Sequence, residues 1–131
     1  MAGVTIDATA LIALMKPTDS HHEWAKDFFI KHLHDELVIS SLTYAEVLTH
    51  PARHNVLDKF LNDIEALELN VASLSDNDSV PLAQLRVSSG LRMPDAVVLH
   101  TAKSLGTSLV TADAQLGKQA QLVGISVHTP E

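Results

Sequence analysis

The chain has 131 residues, which suits one domain of ordinary size. Hydrophobic residues make up 46% of it, enough for a substantial core, so the composition excludes a disordered chain. The absence of cysteine excludes disulfides and thiolate metal sites. There is no signal-peptide pattern and no apolar run near the ~18 residues of a membrane span, so we expect a cytoplasmic protein that does not enter the membrane.

The formal net charge of −7 is unusual for a protein that binds nucleic acid, because such proteins are generally basic. Bound divalent cations invert the local field of an acidic pocket and make it attractive to phosphate. Any binding of nucleic acid is therefore expected to depend on metal and on a few local cations, and not on a broad basic face.

Short β-rich runs alternate with longer helical patterns along the whole chain. In chain order we predict a strand at 4–6, helices at 8–15 and 20–34, a strand at 37–40, helices at 43–49 and 55–65, a strand at 67–71, helices at 76–89 and 94–105, a strand at 108–111, a helix at 114–120 and a strand at 125–128. Pro17 and Pro51 mark helix ends, Gly90 is a C-terminal cap, and Pro94 opens its helix at the first position.

This alternation favours βαβ units and a mostly parallel sheet that is covered by helices on both faces. In such sheets a ligand binds beyond the carboxyl ends of the strands. Carboxylates lie near several of these ends. Asp7 directly follows the first strand, Glu46 is in the first turn after the second, and Asp113 follows the fourth, whereas Asp95 is in the first turn of the Pro94 helix.

Each of these four acids also has a structural explanation. Asp7 and Asp113 can cap the helices that follow them. Glu46 completes a capping-box pattern with Thr43, and Asp95 suits a helix dipole. The joint placement therefore carries the functional prediction. Several carboxylates in one crevice repel each other and are best held together by a hard cation such as Mg²⁺ or Mn²⁺.

The cations and histidines give weaker signals. Arg53 and Arg92 are candidates for contacts with substrate phosphate, with solvated surface charge as the alternative. The pairs at residues 21–22 and at residues 32 and 34 do not share a helix face, so the histidine spacing does not predict a zinc site.

Four segments of the chain, residues 4–11, 41–47, 91–96 and 109–113, resemble those of PIN-domain proteins, and the chain is similar in size to the VapC toxins of bacterial toxin–antitoxin pairs. The resemblance covers nearly the whole chain. It implies a single PIN-like domain over 1–131, an α/β fold with three α/β/α layers and a mostly parallel five-stranded sheet.

The resemblance also implies the site. Its expected ligands for Mg²⁺ or Mn²⁺ are Asp7, Glu46, Asp95 and Asp113. Thr9 and Thr111 match hydroxyl positions that assist there. Some members carry a further acid just beyond the one that matches Asp113, but residues 114–117 hold none, which leaves the choice between one and two cations open.

The implied activity is that of a metal-dependent endoribonuclease in which Asp95 or Asp113 orients or deprotonates the attacking water. The implied partners are tRNA or rRNA as substrate, a VapB-type antitoxin and a second copy of the chain in a homodimer. Two alternatives remain: a non-catalytic PIN-like binding module, and an aspartate-based phosphotransfer domain. The second is disfavoured because Asp7-Ala8-Thr9 lacks the second acid of an Asp-x-Asp motif.

Overall fold

Five short strands form one parallel sheet at the centre of the protein. A computed structural model describes residues 3–130. The strands are β1 (Gly3–Ile6), β2 (Glu36–Ser40), β3 (Asn70–Ala72), β4 (Ser108–Val110) and β5 (Val127–His128). All neighbours pair in parallel, in the order β3-β2-β1-β4-β5. The chain therefore winds outward from β1 to β3 and then returns to β4 on the other side of β1, which places the topological switch point between β1 and β4.

Seven helices surround the sheet in the part of the chain that the structure describes. They are α1 (Ala8–Met15), α2 (His22–Lys31), α3 (Ser41–Arg53), α4 (Leu57–Ile64), α5 (Ser79–Ser89), α6 (Met93–Leu105) and α7 (Ala114–Leu122). Short 3-10 turns lie at Glu65–Leu67 and Asp76–Asp78. None of the helices within residues 3–130 has the length and apolar character needed to cross a bilayer.

The two larger apolar cores lie on opposite faces of the sheet. One joins Ile6 of β1 and Val110 of β4 to buried side chains of α1, α2, α3 and α4. The other joins Leu109 of β4 to α5, α6 and α7. Leu109 and Val110 are successive residues of one strand, so they point to opposite faces. These cores make three layers and confirm the predicted α/β/α architecture, with a sheet that is parallel throughout.

Several predicted helix boundaries are wrong, because hydrogen bonds from backbone amides to the side chains of preceding residues determine where the helices begin. The helix predicted at 20–34 spans only His22–Lys31, since Asp19 Oδ1 accepts a hydrogen bond from the His21 amide in a preceding turn. The helix predicted at 43–49 begins at Ser41, where Ser40 Oγ accepts from the Leu42 amide. It continues through Pro51, which lies in its last turns and removes a single backbone donor.

The third strand also begins later than predicted. Residues 65–67 form a 3-10 turn, and Glu68 follows in the left-handed region with φ of 50°. These residues cannot pair with β2 in that conformation. The strand therefore occupies Asn70–Ala72 rather than 67–71.

Ser40 holds the start of α3, the helix that carries Glu46. We expect Ser40→Ala to lower the free energy of unfolding by about 1 kcal/mol, because it leaves an amide of the first turn without its side-chain partner. Urea unfolding followed by circular dichroism measures the change. Ser41→Ala is the matched control, since Ser41 is exposed and lies inside the helix. An equal loss in both variants would contradict the capping role.

Candidate active site

Asp7 lies at the carboxyl end of the central strand and is only 5% exposed. Its side chain makes no capping hydrogen bond to α1, so the capping alternative is wrong for this residue. Its Oδ2 accepts hydrogen bonds from the hydroxyls of Thr9 (2.6 Å) and Thr111 (2.7 Å). Both donors act on the same oxygen, which leaves Oδ1 of the buried carboxylate to other partners.

The two threonine hydroxyls also join segments that are distant in the sequence. The Ala112 amide donates to Thr9 Oγ1 (3.0 Å), and the Asp113 amide donates to Thr111 Oγ1 (3.0 Å). The turn after β4 is thereby held against the turn after β1. Thr9 and Thr111 are positioning residues for Asp7 in this arrangement. Sequence spacing does not reveal their convergence, because about a hundred residues separate them.

Glu46 lies in the second turn of α3, not in its first turn as predicted, because the helix begins at Ser41. The capping-box alternative is wrong here, since Ser40 and not Thr43 caps the helix. Glu46 is exposed, yet partial desolvation by its surroundings raises the pKa of its carboxyl, and the charges of Asp7 and Asp95 raise it further. Glu46 therefore belongs to the electrostatic surroundings of Asp7.

Asp95 is the third residue of α6, which begins at Met93, so Pro94 occupies the second helical position and not the first. Burial raises the pKa of Asp95, and the charges of Asp7 and Asp113 add to this effect. The Arg92 guanidinium partly offsets it by lowering the pKa. Asp95 thus lies close enough to both strand-end acids to interact with them.

The capping alternative is confirmed for Asp113, and this residue also belongs to the cluster of acids around Asp7. Its Oδ1 accepts hydrogen bonds from the amides of Gln115 (2.9 Å) and Leu116 (3.3 Å) at the start of α7. Only Oδ1 of the carboxylate accepts these capping hydrogen bonds, and Oδ2 takes no part in the cap. Its charge raises the pKa of Asp95, so one side chain both caps a helix and contributes to the acidic cluster.

The donor chemistry of this cluster suits a hard divalent cation. Carboxylate and hydroxyl oxygens are the ligands that Mg²⁺ and Mn²⁺ prefer, and a cation would offset the repulsion among the acids. Within residues 3–130, however, no three His, Asp or Glu side chains converge closely enough to hold one ion as they are placed. The residue types therefore fit the cation, and ligation requires the side chains to move closer together.

The two predicted arginines lie in different positions relative to the acids. Arg92 is the residue before α6, is exposed, and interacts electrostatically with Asp95. Arg53 ends α3, seven residues after Glu46, so it lies on the same helix face about 10 Å further along. The structure thus brings Arg92 to the cluster and places Arg53 at a distance from it.

The ionised cluster is expected to destabilise the fold. The pKa of Asp95 is raised in the folded protein above its ordinary value. The free energy of unfolding therefore falls as the pH rises above the pKa of this carboxyl in the unfolded chain. At acid pH the carboxyl is protonated in both states, so this loss of stability is absent. We expect Asp95→Asn to raise the Tm of the metal-free protein by about 1–3 °C at neutral pH, allowing for solvent screening.

Thermal unfolding followed by circular dichroism at neutral and acid pH measures this difference. Asp58→Asn is the control, because Asp58 is an exposed acid in the first turn of α4 and its loss should not raise the Tm. A Tm gain for Asp95→Asn that persists at acid pH, or no gain at neutral pH, would contradict the electrostatic account.

Several solved structures have folds similar to that of this chain. A chain of the toxin–antitoxin complex from Klebsiella pneumoniae is 22% identical with a TM-score of 0.74, and the match covers 98% of each chain. FitAcB from Neisseria gonorrhoeae is 17% identical with a TM-score of 0.75 and 95% of each chain covered. VapC20 from Mycobacterium tuberculosis, a sarcin-ricin loop cleaving toxin, is 14% identical with a TM-score of 0.72, covering 97% of this chain and 99% of that chain. These similarities show that the chain shares its fold with these three proteins.

At the level of sequence, no curated protein matches the chain. The family model of the PIN domain matches residues 4–122. That match spans most of the sequence and includes all four acids of the cluster. The chain belongs to the PIN domain family.

Proposed function

We propose that the chain is a metal-dependent endoribonuclease that hydrolyses phosphodiester bonds of RNA. The observation that carries the proposal is the cluster of acids around Asp7 at the switch point of the sheet. Asp7 is buried beneath two hydroxyls, and the pKa values of two neighbouring acids are raised by partial desolvation and by repulsion. Acids that serve only stability are usually solvated or paired with cations, whereas perturbed groups in a crevice are typical of functional sites.

The residues proposed to hold Mg²⁺ or Mn²⁺, directly or through water, are Asp7, Glu46, Asp95 and Asp113. The bound cation would supply a water of lowered pKa and would offset negative charge on the scissile phosphate. The chain's own contribution is orientation. Thr9 and Thr111 fix one oxygen of Asp7, and the α7 amides fix one oxygen of Asp113.

Asp95 is the better candidate for the group that orients or deprotonates the attacking water. One oxygen of Asp113 already accepts two amide hydrogen bonds. Burial is the largest cause that raises the pKa of Asp95, and a raised pKa favours this carboxylate as a proton acceptor. The assignment therefore favours Asp95 over Asp113.

RNA binding by so acidic a protein would depend on few contacts. With a formal net charge of −7, the chain lacks a general attraction for phosphate. Arg92 beside the cluster and Arg53 further along α3 are the cations proposed to contact the substrate backbone. VapC20, whose fold is similar, is a sarcin-ricin loop cleaving toxin. This similarity supports structured RNA, such as tRNA or rRNA, as the class of substrate for this chain.

We further propose that the chain is the toxin of a VapBC-type pair and forms a homodimer. Toxin–antitoxin complexes with similar folds from Klebsiella pneumoniae and nontypeable Haemophilus influenzae support a VapB-type antitoxin as partner. The surface also carries apolar side chains suited to protein contacts. Val80 and Val87 lie on one face of α5 and are 65% and 87% exposed, which a protein partner would cover.

One observation favours a second candidate, a non-catalytic PIN-like module. No three acids within the described residues are placed to hold an ion. Calorimetric titration with Mn²⁺ distinguishes the two candidates, because only the nuclease requires binding. The phosphotransfer alternative is disfavoured, since Asp7 is 5% exposed and its Oδ2 accepts two hydrogen bonds, which leaves it poorly placed to attack a phosphate.

Asp7→Asn is expected to reduce Mg²⁺- or Mn²⁺-dependent RNA cleavage by more than about 100-fold, because it removes a charged oxygen at the centre of the cluster. The circular dichroism spectrum should stay native. Cleavage of a labelled structured RNA in the presence of either cation measures the loss. Asp27→Asn, which removes an exposed acid on α2, is the matched control and should retain activity. Full activity of Asp7→Asn would refute the site assignment.

Thr111→Val is expected to reduce cleavage by about 10–100-fold, since it keeps the side-chain shape but removes the hydroxyl that orients Asp7. Thr111→Ser restores the hydroxyl and should recover most of the activity. Both variants are compared at several Mn²⁺ concentrations, because an orienting role weakens cation binding as well as turnover. Equal activity of the valine and serine variants would show that the hydroxyl has no role.

A further inference from the structure

We propose that His32 and His128 form a separate binding site for a divalent transition metal such as Zn²⁺. The site lies in an open cleft of about 490 Å³ between the end of α2 and the edge strand β5. This inference goes beyond the proposed nuclease function, and it uses none of the residues proposed for the carboxylate cluster.

The separation of the two imidazole rings fits shared coordination. Their centroids are 5.2 Å apart and their planes are inclined by 62°. Zinc–nitrogen bonds are about 2.0–2.1 Å long, so two imidazoles on one tetrahedral zinc have ring centroids roughly 5 Å apart. The observed centroid distance therefore matches that of two imidazoles bound to one ion.

The hydrogen bonds of the two rings leave one nitrogen of each available. His32 Nδ1 lies 2.6 Å from Asp35 Oδ2, so its N–H donates a hydrogen bond to the carboxylate, and in the neutral ring the lone pair is on Nε2. Metal-binding histidines commonly donate a hydrogen bond from the N–H of their second nitrogen to a carboxylate in this way. In His128 it is Nε2 that contacts Ser108 Oγ, at 3.3 Å, which leaves Nδ1.

Phe28 holds both imidazoles in place. It is buried, it stacks on His32 with centroids 4.1 Å apart, and its centroid is 5.0 Å from that of His128. Burial lowers the pKa of His128, and the neighbouring His32 lowers it further while Asp35 opposes the effect. A lowered pKa favours the neutral form of the His128 ring, which is the form that binds metal.

The cleft provides room for the remaining ligands. Asp27 and Lys31 line it together with Trp24 and Thr129. No third His, Asp or Glu within residues 3–130 is placed in ligand range, so water completes the coordination. A site with two protein ligands binds more weakly than the three- or four-ligand sites of zinc enzymes and zinc fingers.

Metal binding at this site would link the edge strand β5, which has only two residues, to the end of α2. His32 and His128 are separated by most of the chain, and a ligand that binds only the folded state raises stability. The main chain of His128 also accepts a hydrogen bond from the Thr111 amide (3.1 Å). The metal would therefore stabilise β5, the strand whose backbone accepts the hydrogen bond from Thr111.

The test uses Zn²⁺ with excess Mg²⁺, which competes for the carboxylate cluster. His50 and His54 are exposed four residues apart, with ring centroids 4.3 Å apart, and can chelate zinc themselves. A His50→Gln/His54→Gln protein is therefore the background. Calorimetry should find one Zn²⁺ per chain and thermal unfolding should show a higher Tm with Zn²⁺. His32→Gln and His128→Gln should each weaken binding at least about tenfold, whereas the control His34→Gln should not.

Asp35→Asn keeps both ligands and should weaken Zn²⁺ binding by about 10–100-fold while the circular dichroism spectrum stays native. Asp7→Asn should bind Zn²⁺ unchanged, so that failure of this proposal and failure of the nuclease proposal are distinguishable. Unchanged Zn²⁺ affinity of folded His32→Gln or His128→Gln would overturn the proposal. An equal loss in His34→Gln would also overturn it.

Discussion

The arrangement of the acidic cluster depends on a single buried carboxylate. Asp7 ends the central strand and is 5% exposed, and its Oδ2 accepts hydrogen bonds from Thr9 and Thr111. Burial of a charged group is costly unless hydrogen bonds satisfy it, so these hydroxyls are needed for the fold as well as for the site. They also accept hydrogen bonds from the amides of residues 112 and 113, which fixes the turn that carries Asp113. The position of one acid is thus coupled to the position of another.

The same cluster opposes the stability of the protein. Partial desolvation and like charges raise the pKa values of Glu46 and Asp95, so the ionised protein carries repulsion at the edge of its sheet. Two apolar cores compensate for this cost on the two faces of the sheet. A trade-off of this kind is common where a functional site is strained, and a cation that binds the folded state would relieve it.

Much of the fold was predictable from the sequence, because strands and helices alternate and the apolar patterns are local. The parallel sheet, the three layers and the positions of Asp7 and Asp113 at strand ends follow from that alternation. The ends of helices and strands were less predictable, since a hydrogen bond to Ser40 fixes the start of α3 and the left-handed backbone of Glu68 delays the start of β3. Sequence patterns also suggested a capping role for Glu46 that α3 does not use. Contacts between distant residues, such as Thr9 with Thr111 or His32 with His128, leave no local signal.

The proposed nuclease function requires the four acids to bind one or more divalent cations in the folded protein. Crystals grown with Mn²⁺ and measured for anomalous scattering test it most directly, because the signal locates the ion without reference to activity. We expect an anomalous peak within direct or water-mediated ligand distance of Asp7, with Glu46, Asp95 or Asp113 turned toward it. Crystals of folded protein with ordered acids and no peak among them at saturating Mn²⁺ would contradict cation binding by these acids.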